Sequence, residues 1–278
     1  MARRPPRGYD ARMSSRSEPW NVPGPFRADQ LNDGDPYELS NGHAIRCMTA
    51  GHRHGSGQNI GGSVLAYDPG VAGTVSADTG ISFNDGKNLR APDLSVGLPP
   101  PQGPGWATTA PPLAVEYADS GQNEDELKAK ITELLAFGTR VIWVVRLVGP
   151  LRVEIHEQGR PVRTAGADDV LHAEGILANP VPVRALVDHS AARKVTLQNI
   201  LNFEGYRDLD HVREEGREKG LEEALTGLRN LVLAQITSRG WILSPALQAR
   251  LDACSDQPTL VRWYAAVTTS TNIEAALR

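Results

Sequence analysis

The chain has only two cysteines in 278 residues, Cys47 and Cys254, far apart in sequence. They make neither a disulfide framework nor a CxxC metal site. Three histidines near Cys47 (His43, His52 and His54) match no standard zinc spacing. No apolar run approaches the length of a membrane span. The phosphate-loop, GxGxxG and GxSxG patterns are missing, so nucleotide binding and serine hydrolysis have no sequence support. Aromatic residues make up 5% of the chain, and positive charge is not in excess: the formal net charge is −4. Whole-chain electrostatics therefore give no support to nucleic-acid binding, although a local basic groove stays compatible with them.

Glycine (27) and proline (20) are plentiful, and 40% of residues are hydrophobic. The length suits one large domain or a domain with an extension. Residues 1–28 are rich in Arg, Pro and Ser and lack periodicity, which reads as a loosely ordered basic tail. "MARRPPRGYDARMSSR" leads into no apolar stretch, so it does not read as a secretion leader, and a cytoplasmic location is expected. Residues 29–187 read as a mixed α/β domain. Residues 188–278 are helical and charged and read as an extension that serves self-association, with a homodimer as the expected assembly. Within it, Ser244 and Pro245 are the N-cap and first position of a helix.

In the α/β part, Asn41-Gly42 predicts a tight hairpin turn, and a glycine-weakened helix is predicted over Gln58 to Tyr67. Residues 99–112 are a Pro/Gly loop. Then comes "LAVEYADSGQNEDELKAKITELLAFGTRVIWVV", which reads strand, loop, helix, strand. The closing run 141–145 is apolar throughout, as in a strand buried on both faces. With a helix between them, strands 113–118 and 141–147 should be parallel neighbours. Glu116 then lies inside a sheet, where a carboxylate must find a cation, bind a metal or shift its pKa. On the intervening helix Leu127, Ile131, Leu134, Leu135 and Phe137 form the apolar face. Lys130 falls inside that arc and Lys128 outside it. A second acid, Asp93, opens the strand of "APDLSVGL". Asp, Glu and Lys together suit phosphodiester hydrolysis: carboxylates hold Mg²⁺ or Mn²⁺, the cation polarises the phosphate, and a lysine balances charge or handles the proton. The bland reading of the same three residues is a structural ion triad.

The order of the motifs resembles the PD-(D/E)XK nuclease superfamily, and more closely its Uma family of restriction-endonuclease-like proteins. The resemblance is carried by "YELSNG" (37–42), His54 in "HGSGQNI", "SADTGISF" (76–83), "RAPDLSV" (90–96), "VEYADS" (115–120), Lys130, Gly138 and "VIWVV" (141–145), and covers about residues 35–187. It implies a restriction-endonuclease-like mixed β-sheet flanked by helices. Asp93 and Glu116, with the backbone carbonyl of Tyr117, would hold Mg²⁺ or Mn²⁺. Lys130 would be the active-site lysine and Glu38 an auxiliary acid. His54 and Asp78 are secondary candidates. The superfamily's usual lysine, two residues after the glutamate, is Ala118 here; the Uma pattern moves that role to the helix, eight residues before Gly138. The implied substrate is DNA. A catalytically weak module on the same fold, binding nucleic acid or protein, is the alternative.

Overall fold

The computed structural model describes residues 24–71, 74–121 and 123–278. The basic tail up to residue 23 lies outside the described residues. Phe26 and Ala28, at the end of the stretch read as a tail, are buried. The chain forms two compact units that divide between Gly205 and Tyr206.

The first unit begins with hairpin β1 (Tyr37–Ser40) and β2 (His43–Arg46). Its turn is Asn41-Gly42, and both residues have positive φ, 48° and 83°, as a type I′ turn requires. Helix α1 (His52–Ala66) follows, then β3 (Thr74–Ala77), β4 (Ile81–Phe83), β5 (Asn88–Arg90), β6 (Leu94–Leu98) and β7 (Leu113–Ala118). Helix α2 (Glu124–Phe137) leads to β8 (Val141–Arg146), β9 (Arg152–Glu157), β10 (Arg163–Gly166), β11 (Val170–Leu171), β12 (Val181–Pro182) and α3 (His189–Phe203).

Among the described residues the main sheet has six strands, ordered β10-β9-β8-β7-β6-β3. Only β7 and β8 run parallel, with Glu116 opposite Val144; the other neighbours are antiparallel. This is the mixed sheet expected from the sequence, and helix α2 is the crossover that a parallel pair needs. Asn123 caps α2 by accepting from the amides of Asp125 and Glu126, and Gly138 ends it at φ 126°.

Side chains alternate across β7. Val115 and Tyr117 face α1 in a core with Ile60, Val64, Trp143 and Leu186. Ala114 and Ala118 face α2 in a second core with Leu127, Ile131, Leu134 and Val144. Glu116 shares the parity of those two alanines, so it projects toward α2. A smaller sheet, ordered β2-β1-β5-β4, carries Glu38 on β1 and Arg90 at the end of β5. Residues 91–93 link the two sheets.

Helix α1 starts at His52, six residues before the predicted start. Helix α3 belongs to the first unit: its Asn199 donates to the carbonyl of Val64 at 3.1 Å, and Ala192 joins the α1-side core. The compact unit thus runs on past residue 187, where the composition changes.

The second unit contains α4 (Leu209–Ser238), α5 (Pro245–Asp252), α6 (Gln257–Thr269) and α7 (Ile273–Ala276). Leu225, Val232 and Ile236 of α4 pack with Leu260, Trp263 and Val267 of α6 in a core of their own. Ser244 caps α5, with Pro245 at its first position. No helix among the described residues is long and apolar enough to cross a membrane.

Candidate active site

Strand β6 pairs with β7 up to Leu94 opposite Val115. Asp93 directly precedes β6, and continuing the register by one step would set it across from Glu116. Both are buried. Asp93 is held in place from two sides: its Oδ2 accepts from the Tyr117 amide at 2.5 Å, and its Oδ1 lies 3.2 Å from Nε2 of His54. The bond to Asp93, more than opposing burial, raises the pKa of His54, and the charges of Asp93, Glu116 and Asp78 add to it.

Lys130 reaches the same point from α2. Its Nζ is 3.1 Å from Oε1 of Glu116, 3.0 Å from Oε1 of Glu38 and 2.8 Å from the carbonyl of Ala91, to which it donates. Burial works against the ammonium, but the charges of Glu116, Glu38 and Asp93 outweigh it and raise its pKa. Lys130 is therefore a cation here, not a free amine. Burial pushes the Glu116 carboxyl up to about 8; Lys130 opposes the rise, and Asp93 and Glu38 add to it.

Glu38, Asp93, Glu116 and Lys130, together with His54, are thus brought together. Asp78 is placed one step back. Its carboxylate accepts from Nε2 of Gln58 at 3.0 Å, and the same amide donates to the carbonyl of Asp93 at 2.8 Å. Asp78 thus reaches the backbone of Asp93 through Gln58.

Three residues of this network escaped the sequence reading: Arg90, Glu133 and Gln58. Arg90 is fully buried, with Nη1 3.1 Å from Glu38 and Nε 2.6 Å from Glu133. Ser40 donates its hydroxyl to Glu133. The available signals were an arginine directly before Ala91-Pro92-Asp93 and a glutamate three residues after Lys130, on the same helix face.

The donor set suits a hard divalent cation, which takes oxygen ligands. Oε1 of Glu116 is buried and makes no well-aligned hydrogen bond. Four acids (Glu38, Asp93, Glu116, Glu133) face two permanent cations, Lys130 and Arg90. Acids therefore outnumber permanent cations here, and this is the condition under which burial and its acidic neighbours raise the Glu116 carboxyl and a divalent ion would be welcome. Among the described residues no three His, Cys, Asp or Glu side chains form a ready-made cage. A cation would therefore rest on two side chains with backbone and solvent oxygens.

The Uma2 family model, described as "Putative restriction endonuclease", matches residues 26–181. More than half of the chain is covered, and the chain belongs to this family. A solved structure from Anabaena variabilis, described as "a putative nuclease belonging to DUF820", superposes with a TM-score of 0.52 at 18% identity. It covers 60% of this chain and 99% of its own. That likeness confirms the restriction-endonuclease-like fold expected from the sequence. No curated protein matches.

Proposed function

We propose that the chain is a divalent-metal-dependent endonuclease that hydrolyses DNA phosphodiester bonds. The observation that carries this reading is the convergence of Asp93, Glu116 and Lys130 from the link before β6, from β7 and from α2. Membership of a nuclease family supports it.

In this reading Asp93, Glu116 and the carbonyl of Tyr117 hold Mg²⁺ or Mn²⁺. The ion would supply charge for the scissile phosphate and a lowered pKa for water. The chain's own groups do the rest. The amide of Tyr117 and the His54 ring fix both oxygens of Asp93. Lys130, kept charged by its neighbours, stabilises negative charge building on the phosphate. It is not the proton acceptor in this arrangement, because it has no free lone pair. Glu38 shares the lysine with Glu116 and keeps it beside the strand.

A homodimer would bring one site to each strand of a duplex. Exposed Leu209, Leu221 and Leu231 on α4 support the second unit as the self-association element. Light scattering of the intact chain tests this, and a monomer at micromolar concentration would reject it.

The alternative is a binding module whose lysine simply neutralises the acids. The direct contacts from Lys130 to both Glu38 and Glu116 favour it. The two readings part on cleavage of supercoiled plasmid and single-stranded DNA with Mg²⁺ or Mn²⁺. The nuclease reading expects metal-dependent nicking by the wild type that disappears in Glu116→Ala and Lys130→Ala. Equal residual cutting in all three proteins, or none from folded wild type, rejects it.

A further inference from the structure

Arg90 and Glu38 extend the register of the smaller sheet. Strands β1 and β5 pair at Leu39 opposite Leu89, and one step on, Glu38 faces Arg90. The guanidinium then reaches away from that sheet to Glu133 on α2, at 2.6 Å. Glu133 lies three residues after Lys130, about one helical turn along. The contacts close a ring: Lys130 to Glu38, Glu38 to Arg90, Arg90 to Glu133, and back along the helix to Lys130. Glu38 divides its oxygens, Oε1 to Lys130 and Oε2 to Arg90.

A buried arginine with two carboxylates is a costly way to join two sheets and a helix. Apolar residues of similar volume commonly stabilise such a place as well or better. Nor is Arg90 fully satisfied, since its Nη2 is buried without an acceptor. What the arrangement does deliver is geometry. The planar fork fixes two carboxylates at set angles, Glu38, which contacts the lysine, and Glu133 on the lysine's own helix.

We propose that Arg90 is a positioning residue: by holding Glu38 from behind and α2 through Glu133, it fixes where the Lys130 ammonium stands beside Glu116. It touches neither substrate nor metal and acts through Glu38 and Lys130. The proposal rests on the nuclease reading above.

A variant that keeps charge balance separates positioning from plain neutralisation. Arg90→Met alone takes the guanidinium from buried Glu38 and half-buried Glu133 and should lower Tm. Arg90→Met with Glu133→Gln removes one charge of each sign. The expected result is that Tm recovers toward wild type while kcat for plasmid nicking stays down by about 10²-fold, the scale of an ångström-level misplacement. KM for DNA should be unchanged. In a Glu38→Gln background the same pair should cost little further kcat, because the group that Arg90 positions is already lost. Arg90→Lys, which keeps the charge but lacks the fork, serves if the pair does not fold; it should be slower than wild type with KM intact. Recovery of kcat together with Tm, or an Arg90→Lys enzyme as fast as wild type, overturns the proposal. A wild type that cuts no DNA overturns the nuclease reading itself, and this inference with it, before any variant is compared.

Discussion

Asp93, the residue just before β6, accepts a hydrogen bond from the amide of Tyr117, the neighbour of Glu116 on β7. The link between the two sheets thus ends in Asp93, and the Tyr117 amide ties its carboxylate to β7. Asp93→Asn and Glu116→Gln preserve shape and remove one charge each. Each should abolish Mn²⁺ binding by calorimetry and slow cleavage by about 10²-fold or more, the scale for losing one preorganised electrostatic group. The far-UV spectrum should not change. Undiminished Mn²⁺ binding in both variants would place the cation elsewhere.

Lys130 is the shared partner of two buried acids. Lys130→Met leaves Glu38 and Glu116 together without it, and removing one member of a buried ion pair costs about 3–5 kcal/mol. Urea unfolding should show a loss of that order. Adding Glu38→Gln and Glu116→Gln should restore most of the stability but no cleavage. If Lys130→Met alone unfolds like the wild type, the lysine is not balancing these charges.

The stretch 113–146 was legible because its signals are local. Alternation, a helical apolar period and a continuous apolar run each mark one element. The placing of Lys130 toward the sheet and Lys128 away from it followed from the helical period alone. Helix α1 was cut short because Gly55 and Gly57 lower helix propensity in its first turns. Gly57 is kept by packing: a Cβ there would meet the Tyr117 ring at 2.9 Å, a tertiary reason that no propensity can reveal. Arg90 and Glu133 were illegible for a related reason. A charged residue reads as surface until its partners are known, and here the partners sit at positions 38, 90 and 133.

The raised Glu116 carboxyl gives a pH dependence with a definite sign. Its folded value of about 8 lies above the ordinary 4.5, so its contribution to stability is complete below 4.5 and is lost as pH rises toward 8. In EDTA, wild type should lose stability relative to Glu116→Gln across that interval, read by denaturant unfolding at several pH values. A divalent ion competes with the proton. Mn²⁺ affinity should therefore climb with pH and level off near 8, with proton release detectable in buffers of different ionisation enthalpy. An affinity independent of pH below that point would show that Glu116 is already ionised in the free protein.

Tyr117 links the packing of α1 to the site, since its amide holds Asp93 while its hydroxyl donates to the carbonyl of Leu186 at 3.1 Å. The ring lies against Gly57 and Gly61. A Cβ at Gly61 would overlap the hydroxyl, whereas a Cβ at Gly57 would press on the ring carbons Cδ1 and Cε1 at 2.9 Å. Both Gly57→Ala and Gly61→Ala should destabilise by about 1–3 kcal/mol, as overpacking does. They should differ in rescue. Tyr117→Phe removes the atom that blocks Gly61→Ala and retains the carbons that block Gly57→Ala. A double-mutant cycle should therefore show strong favourable coupling for the first pair and little for the second. Because displacing the ring also moves the amide that orients Asp93, nicking should fall in Gly61→Ala and return in part with Tyr117→Phe. Equal rescue of both glycine variants would mean that α1 relaxes as a body and that the hydroxyl contact does not set its distance from the sheet.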